Sequence, residues 1–176
     1  MISKINSKDY YAAFNDQSSV VANLCNKIIL NGEPIRANLL GADQLPVPVD
    51  LMLQEPLLEK INRKFPIYKT TIIQTAPYHS YEWHVDRIRG VSINLLISTN
   101  IQSYCIFGTP ITDSSFYLTE LKYLENTFYL FNTQQLHQVL NFSKTRFLFT
   151  IEFVQDKTSL LYSDIYKWCE QENLLC

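Results

Sequence analysis

A mainly β fold flanked by a few α-helices is predicted, on two observations. From Tyr68 to Val154 the chain is a succession of short segments rich in β-branched and aromatic residues, separated by turn formers, with no helical stretch between them. On either side of that zone, apolar residues recur at helical spacing. Closely spaced strands of this kind close into an antiparallel sandwich or barrel. Composition agrees. Apolar residues make up 47% and charged residues 18%, a globular balance, and 11 Tyr with 10 Phe lean toward strands.

At 176 residues the chain is expected to form one domain in three zones. In the first, about 1–66, Val20/Val21, Leu24/Cys25 and Ile28/Ile29 recur every four residues. Ser18 or Ser19 would cap this helix and Asn31-Gly32 would end it. Asn31–Pro48, rich in Gly, Asn and Pro, is predicted as loop. A shorter helix runs from about Pro56 to Lys64, with Pro56 tolerated in its first turn.

The second zone, about 68–154, holds strands at Lys69–Thr75, Val91–Ser98, Ser103–Phe107, Ser115–Leu121, Thr127–Asn132, His137–Asn141 and Thr145–Phe153. Asn100, Gly108-Thr109-Pro110, Asp113-Ser114 and Asn141-Phe142-Ser143 supply the turns. The third zone, about 159–176, suggests a helix within Ser159–Leu175. Ser163 or Asp164 would cap it, and Ile165, Trp168, Cys169 and Glu172 follow at helical spacing.

Alternation assigns the strand faces. Val91, Ile93, Leu95 and Ile97 form one face of their strand; Ser92, Asn94, Leu96 and Ser98 form the other. Phe147, Phe149, Ile151 and Phe153 likewise oppose Arg146, Leu148, Thr150 and Glu152. The greasy faces suit packing under helices. The polar faces suit a lined cavity.

Several function classes are disfavoured. A net charge of −2 offers no electrostatic reason for a nucleic-acid partner. Cys25, Cys105, Cys169 and Cys176 lie far apart without C-x-x-C spacing, so they read as reduced, mostly buried thiols. The N-terminus lacks the apolar core of a signal peptide, and no apolar run is long enough to span a bilayer. A cytoplasmic protein is the expectation. Oligomeric state is not legible.

Chemistry concentrates at two of the three histidines. His84 and Asp86 are two apart, and at a strand end both project to one side. Two imidazoles and a carboxylate on one face of a metal make the facial triad typical of non-haem Fe(II), with open positions for co-substrate and dioxygen. His137, 51 residues after Asp86, supplies the second imidazole. Nine residues further, Arg146 offers a fixed bidentate partner for a carboxylate. His79 reads as a loop residue near the site, or as a replacement for Asp86 in a three-His set. Trp83 reads as core or as lining of the entrance. Arg87 and Arg89 read as solvated loop charges or as partners for an acidic substrate. Asn94 and Asn141 could instead satisfy backbone groups near turns.

This order of residues resembles the 2-oxoglutarate/Fe(II)-dependent dioxygenases, whose pattern is His-x-Asp, a distal His, then Arg or Lys about ten residues on. Here it stands as His84-Val85-Asp86, His137 and Arg146, within about Lys69 to Val154. The prolyl-hydroxylase-like and aspartyl/asparaginyl-hydroxylase-like branches look nearest. The resemblance implies a double-stranded β-helix, or jelly roll. It also implies iron on His84, Asp86 and His137, and a 2-oxoglutarate whose far carboxylate pairs with Arg146. The implied reaction is hydroxylation of a small-molecule or peptide side-chain substrate with dioxygen, releasing succinate and carbon dioxide. Many relatives carry Ser or Thr two residues after the Arg, and here that position is Leu148. Tyr78, Asn94 or Thr150 would then complete the carboxylate contact. The alternatives are a non-catalytic jelly-roll binding module and a cupin-like metalloprotein that does not use 2-oxoglutarate. Substrate choice would lie in Asn31–Pro48, Pro77–Trp83 and Gly108–Ser114.

Overall fold

Ser18 opens the first long helix by accepting the Val21 N–H at 3.3 Å, the capping expected of a serine before an apolar repeat. That helix, α1 (Ser19–Asn31), ends where the Gly32 N–H meets the Ile28 carbonyl. The computed structural model describes residues 6–32, 35–36, 43–112 and 115–176. Ahead of α1 lie a 3-10 turn (Ser7–Asp9) and β1 (Tyr11–Gln17). After it come β2 (Ile35–Arg36), β3 (Asp43–Val47), α2 (Val49–Met52) and α3 (Pro56–Lys64). The strand-rich zone comprises β4 (Ile67–Thr75), β5 (His79–His84), β6 (Ser92–Leu96), β7 (Ser103–Thr112), β8 (Ser115–Leu121), β9 (Thr127–Phe131), β10 (His137–Asn141) and β11 (Arg146–Phe153). The last helix is α4 (Tyr162–Gln171).

Two antiparallel sheets form, in the orders β1-β9-β6-β11-β4-β3-β2 and β5-β10-β7-β8. Neighbours in each sheet are mostly distant in sequence, as in the predicted jelly roll. Ile93, Leu95, Phe149 and Ile151 are buried in a core with Val21 and Cys25 of α1, Leu58 and Ile61 of α3, and Ile165 and Cys169 of α4. The greasy faces therefore do pack under the helices. A smaller core of Tyr10, Cys105, Phe107, Leu121, Tyr129 and Phe131 lies on the other side. The polar faces of β6 and β11 turn toward it and line a cavity. All four cysteines are unpaired, and Cys25, Cys105 and Cys169 are buried.

Five elements depart from the sequence reading: β2, β3, β5, β7 and α4. The loop expected over Asn31–Pro48 contains β2 and β3, its remaining residues 33–34 and 37–42 lying outside the described residues. Leu45 and Val47 of β3 alternate inward while five residues pair with β4, so tertiary pairing overrides the Pro and Gly signals. β5 occupies most of the loop expected over Pro77–Trp83, and β10 holds it in register. β7 continues through the expected turn at Gly108-Thr109-Pro110, because β8 pairs with it as far as Ser115. Finally, α4 starts at Tyr162 rather than after a cap at Ser163 or Asp164. Asp164 instead accepts the Leu161 N–H at 2.9 Å from inside the first turn.

Candidate active site

β5 ends at His84 and β10 begins at His137, and the two are direct register partners. A register irregularity between this pair and the Tyr81–Val139 pair offsets the end of β5. The imidazole ring centroids stand 4.2 Å apart. Asp86 follows just beyond the strand, with its backbone N–H donated to the Thr133 carbonyl at 2.9 Å. Its Oδ1 lies 3.9 Å from His84 Nε2. One ligand atom from each of His84, Asp86 and His137 falls within 4.8 Å of the others, the separation a single cation can bridge.

Tautomers are set by the backbone. His84 Nδ1 is 2.7 Å from the Glu82 carbonyl, and His137 Nδ1 is 2.8 Å from that of Gln135. A carbonyl oxygen only accepts, so each Nδ1 carries the proton and each Nε2 keeps its lone pair for a metal. Burial pushes the His137 imidazolium down to about 4, keeping the ring neutral near pH 7.

A cavity of about 240 Å³ opens from these residues into the space lined by Tyr81, Asn94, Cys105, Tyr123, Val139, Arg146, Leu148 and Thr150. It is below the range of drug-sized pockets, roughly 300–1,000 Å³, and suits a compact metabolite. Arg146 is 2% exposed, yet its side chain has no hydrogen bond or ion pair among the described residues. Its guanidinium stands 5.9 Å from the centroid of the Tyr123 ring. The buried Tyr123 hydroxyl lies toward Asn94 but completes no hydrogen bond. Among the described residues, a cation without an anion and a buried hydroxyl without a hydrogen-bond partner thus share one cavity.

The other candidates divide. Asn94 and Thr150 line the cavity but are bonded to each other, Thr150 Oγ1 donating to Asn94 Oδ1 at 2.7 Å. Tyr78 is 84% exposed, stands at a positive φ of 56°, and does not line the cavity. His79 lies in β5 against Tyr81 and is absent from the three-residue cluster. Trp83 is at the surface, 40% exposed and stacked on Phe116, with Gly108 beneath it; a Cβ at Gly108 would come within 3.0 Å of the indole. Asn141 holds turns, its Nδ2 reaching the carbonyls of Thr75, Ala76 and Lys144.

Two residues near the site were not singled out by this role in the sequence. Tyr123 comes from a loop before β9, where no pattern marks it. Arg89 reads as a loop charge, but its Nε and Nη2 both reach Asp86 Oδ2, at 2.8 and 2.7 Å. A second hollow, of about 310 Å³, shares Gln44, Ile73, His84, Asp86, Arg89 and Thr150 with the first and adds Thr71, Val85, Arg87, Ile88 and Glu152.

No protein-family model matches the chain, and no curated protein matches it in sequence. Solved structures do match. A prolyl-4-hydroxylase from Pseudomonas putida superposes with a TM-score of 0.62 at 16% identity, over 82% of this chain and 91% of that one. A prolyl hydroxylase from Trichoplax adhaerens, in complex with a hypoxia-inducible-factor peptide, gives 0.61 at 12%, over 81% and 82%. The fold is that of the 2-oxoglutarate/Fe(II) oxygenases. The oxygenase fold also embraces the α-ketoglutarate-dependent epimerase of nogalamycin biosynthesis, which matches at 0.59 and 10% identity, over 82% and 77%. Among the described residues, no helix of this oxygenase fold is long and apolar enough to cross a membrane.

Proposed function

We propose that the chain is an Fe(II)- and 2-oxoglutarate-dependent oxygenase. The observation that carries this reading is Arg146, a buried cation with no anionic partner among the described residues, in the same cavity as the His84, Asp86 and His137 ligand atoms. Leaving a guanidinium so placed is costly unless a ligand supplies the missing anion. The donor set itself fits Fe(II), with two neutral imidazoles and one carboxylate. When bound, iron supplies the redox chemistry that couples decarboxylation of 2-oxoglutarate to oxidation of a substrate.

His84 and His137 would ligate through Nε2 and Asp86 through Oδ1. Arg146 would hold the far carboxylate of 2-oxoglutarate by its guanidinium fork. Tyr123 would donate its free hydroxyl to the same carboxylate, taking the part that Leu148 cannot. This replaces Tyr78, which lies outside the cavity, and Thr150, whose proton is already committed to Asn94. The substrate would enter the second hollow, which reaches His84 and Asp86 and holds the unpartnered, buried hydroxyl of Thr71. It would be a small molecule or a side chain bearing a polar group for that hydroxyl. Hydroxylation is the outcome favoured by likeness to the prolyl hydroxylases; the epimerase shares the fold, so the substrate decides the outcome.

Succinate formation from 2-oxoglutarate, Fe(II) and air tests the reading without a known substrate. Slow turnover is expected in the wild type, and loss of it in His84→Ala and Asp86→Ala with the β circular dichroism intact. Equal succinate formation in either variant would sink the assignment. Loss of turnover in Arg146→Ala separates it from a cupin-like reaction, which would not need that residue.

A further inference from the structure

We propose that Arg89 is a positioning residue of the metal centre, restricting Asp86 to a single ligating oxygen; this rests on the metal reading above. The geometry is specific. Arg89 Nε and Nη2 converge on one oxygen, Oδ2 of Asp86, at 2.8 and 2.7 Å. The Nε–H donates to this oxygen, and Nη2 adds a short ion-pair contact to the same atom, so Oδ2 is the oxygen the guanidinium holds. The other oxygen, Oδ1, points toward His84 Nε2 at 3.9 Å and carries none of these contacts.

The remaining guanidinium nitrogen is anchored as well. Nη1 donates to Thr150 Oγ1 at 3.0 Å, Thr150 donates to Asn94 Oδ1 at 2.7 Å, and Ser92 Oγ donates to the same Asn94 oxygen at 3.2 Å. Donation runs from the guanidinium to Thr150 on β11 and on to Asn94 on β6, so Arg89 cannot turn without breaking the chain. Thr150 and Asn94 thereby support the fork rather than the co-substrate.

The consequence is a count of open positions. An octahedral ion held by His84, His137 and one oxygen of Asp86 keeps three positions. These would be open to a 2-oxo acid and to dioxygen. Were Asp86 to chelate through both oxygens, one of the three would be lost. Arg89 keeps it open by occupying Oδ2.

The Arg89 backbone is held independently of its side chain. Its carbonyl accepts from Thr133 Oγ1 at 2.6 Å and Gln134 Nε2 at 2.7 Å, and Gln134 Nε2 also reaches the Asp86 carbonyl at 2.9 Å. Truncating the side chain should therefore leave the loop in place.

Mn(II) bound to the otherwise metal-free protein provides the test. Broadening of its electron paramagnetic resonance lines in water enriched in ¹⁷O counts the water molecules on the ion. Three are expected in the wild type and two in both Arg89→Ala and Arg89→Met, the latter retaining the aliphatic stem. Circular dichroism checks that each variant is folded. Three waters in either folded variant would overturn the role of Arg89, and so would two in the wild type. A wild-type chain that binds no Mn(II) would remove the metal reading, and the inference with it.

Discussion

His84 and His137 are direct partners across β5 and β10, with ring centroids 4.2 Å apart and both Nδ1 atoms bonded to the backbone carbonyl two residues earlier. Each ring is oriented before any metal arrives, so little reorganisation accompanies binding. Removing either imidazole should weaken Fe(II) binding by more than the roughly 10–100-fold that loss of an outer partner costs. Isothermal titration with Fe(II) under nitrogen reads this directly. Unchanged affinity in His137→Ala would exclude that residue as a ligand.

Arg146 makes an opposite pair of predictions for binding and stability. Arg146→Met removes a buried cation that nothing neutralises while keeping the side-chain volume. The metal-free protein should gain about 1–2 kcal/mol, the usual scale of a stability compromise at a functional site. Affinity for 2-oxoglutarate should fall by at least 100-fold, as expected for a lost charge-assisted pair worth about 3 kcal/mol. Urea unfolding and ligand-induced shifts in Tm measure the two effects. A destabilised variant that still binds 2-oxoglutarate would show that the guanidinium serves the fold.

Acid should destabilise the metal-free protein through His137. Burial lowers its folded-state value from 6.5 to about 4, so between those values the unfolded chain binds the extra proton. The stability conferred by keeping this ring neutral is present above pH 6.5 and is lost as pH falls toward 4. His137→Phe should flatten that part of the stability profile. An unchanged slope between pH 6.5 and 4 would place the proton uptake elsewhere.

Asn141 should matter to the fold more than its single side chain suggests. Its Nδ2 ties Thr75 and Ala76, at the end of β4, to Lys144 in the turn before β11. Asn141→Ala leaves buried carbonyls unpaired and should cost about 2–3 kcal/mol in urea unfolding. A loss below 0.5 kcal/mol, the scale of a neutral surface substitution, would contradict this role.

The candidate site residues are more legible in the sequence than the strands that hold them. His84, Asp86 and His137 stand at strand ends where alternation places side chains predictably, and Arg146 opens a strand whose two faces separate cleanly. By contrast, β5 reads as loop because it is short and follows Pro77-Tyr78, although Ser80 and Glu82 alternate with Tyr81 and Trp83, and pairing with β10 makes it a strand. The alternation in β1 covers only Ala12 and Phe14 before Asn15-Asp16 interrupts it. β3 depends on pairing with β4. Tyr123 approaches Arg146 from a loop, and Arg89 meets Asp86 through the shape of the bend between them. Neither relationship follows from a period of two or of 3.6.

Fe(II) and 2-oxoglutarate are expected to share the cavity between His137 and Arg146. Anaerobic titration of the metal-free protein with both, monitored for the visible metal-to-ligand charge-transfer band, tests it most directly. The band should develop in the wild type and be absent in His137→Ala and Arg146→Met at the same concentrations. Fe(II) binding by the wild type without that band on addition of 2-oxoglutarate would contradict a shared site.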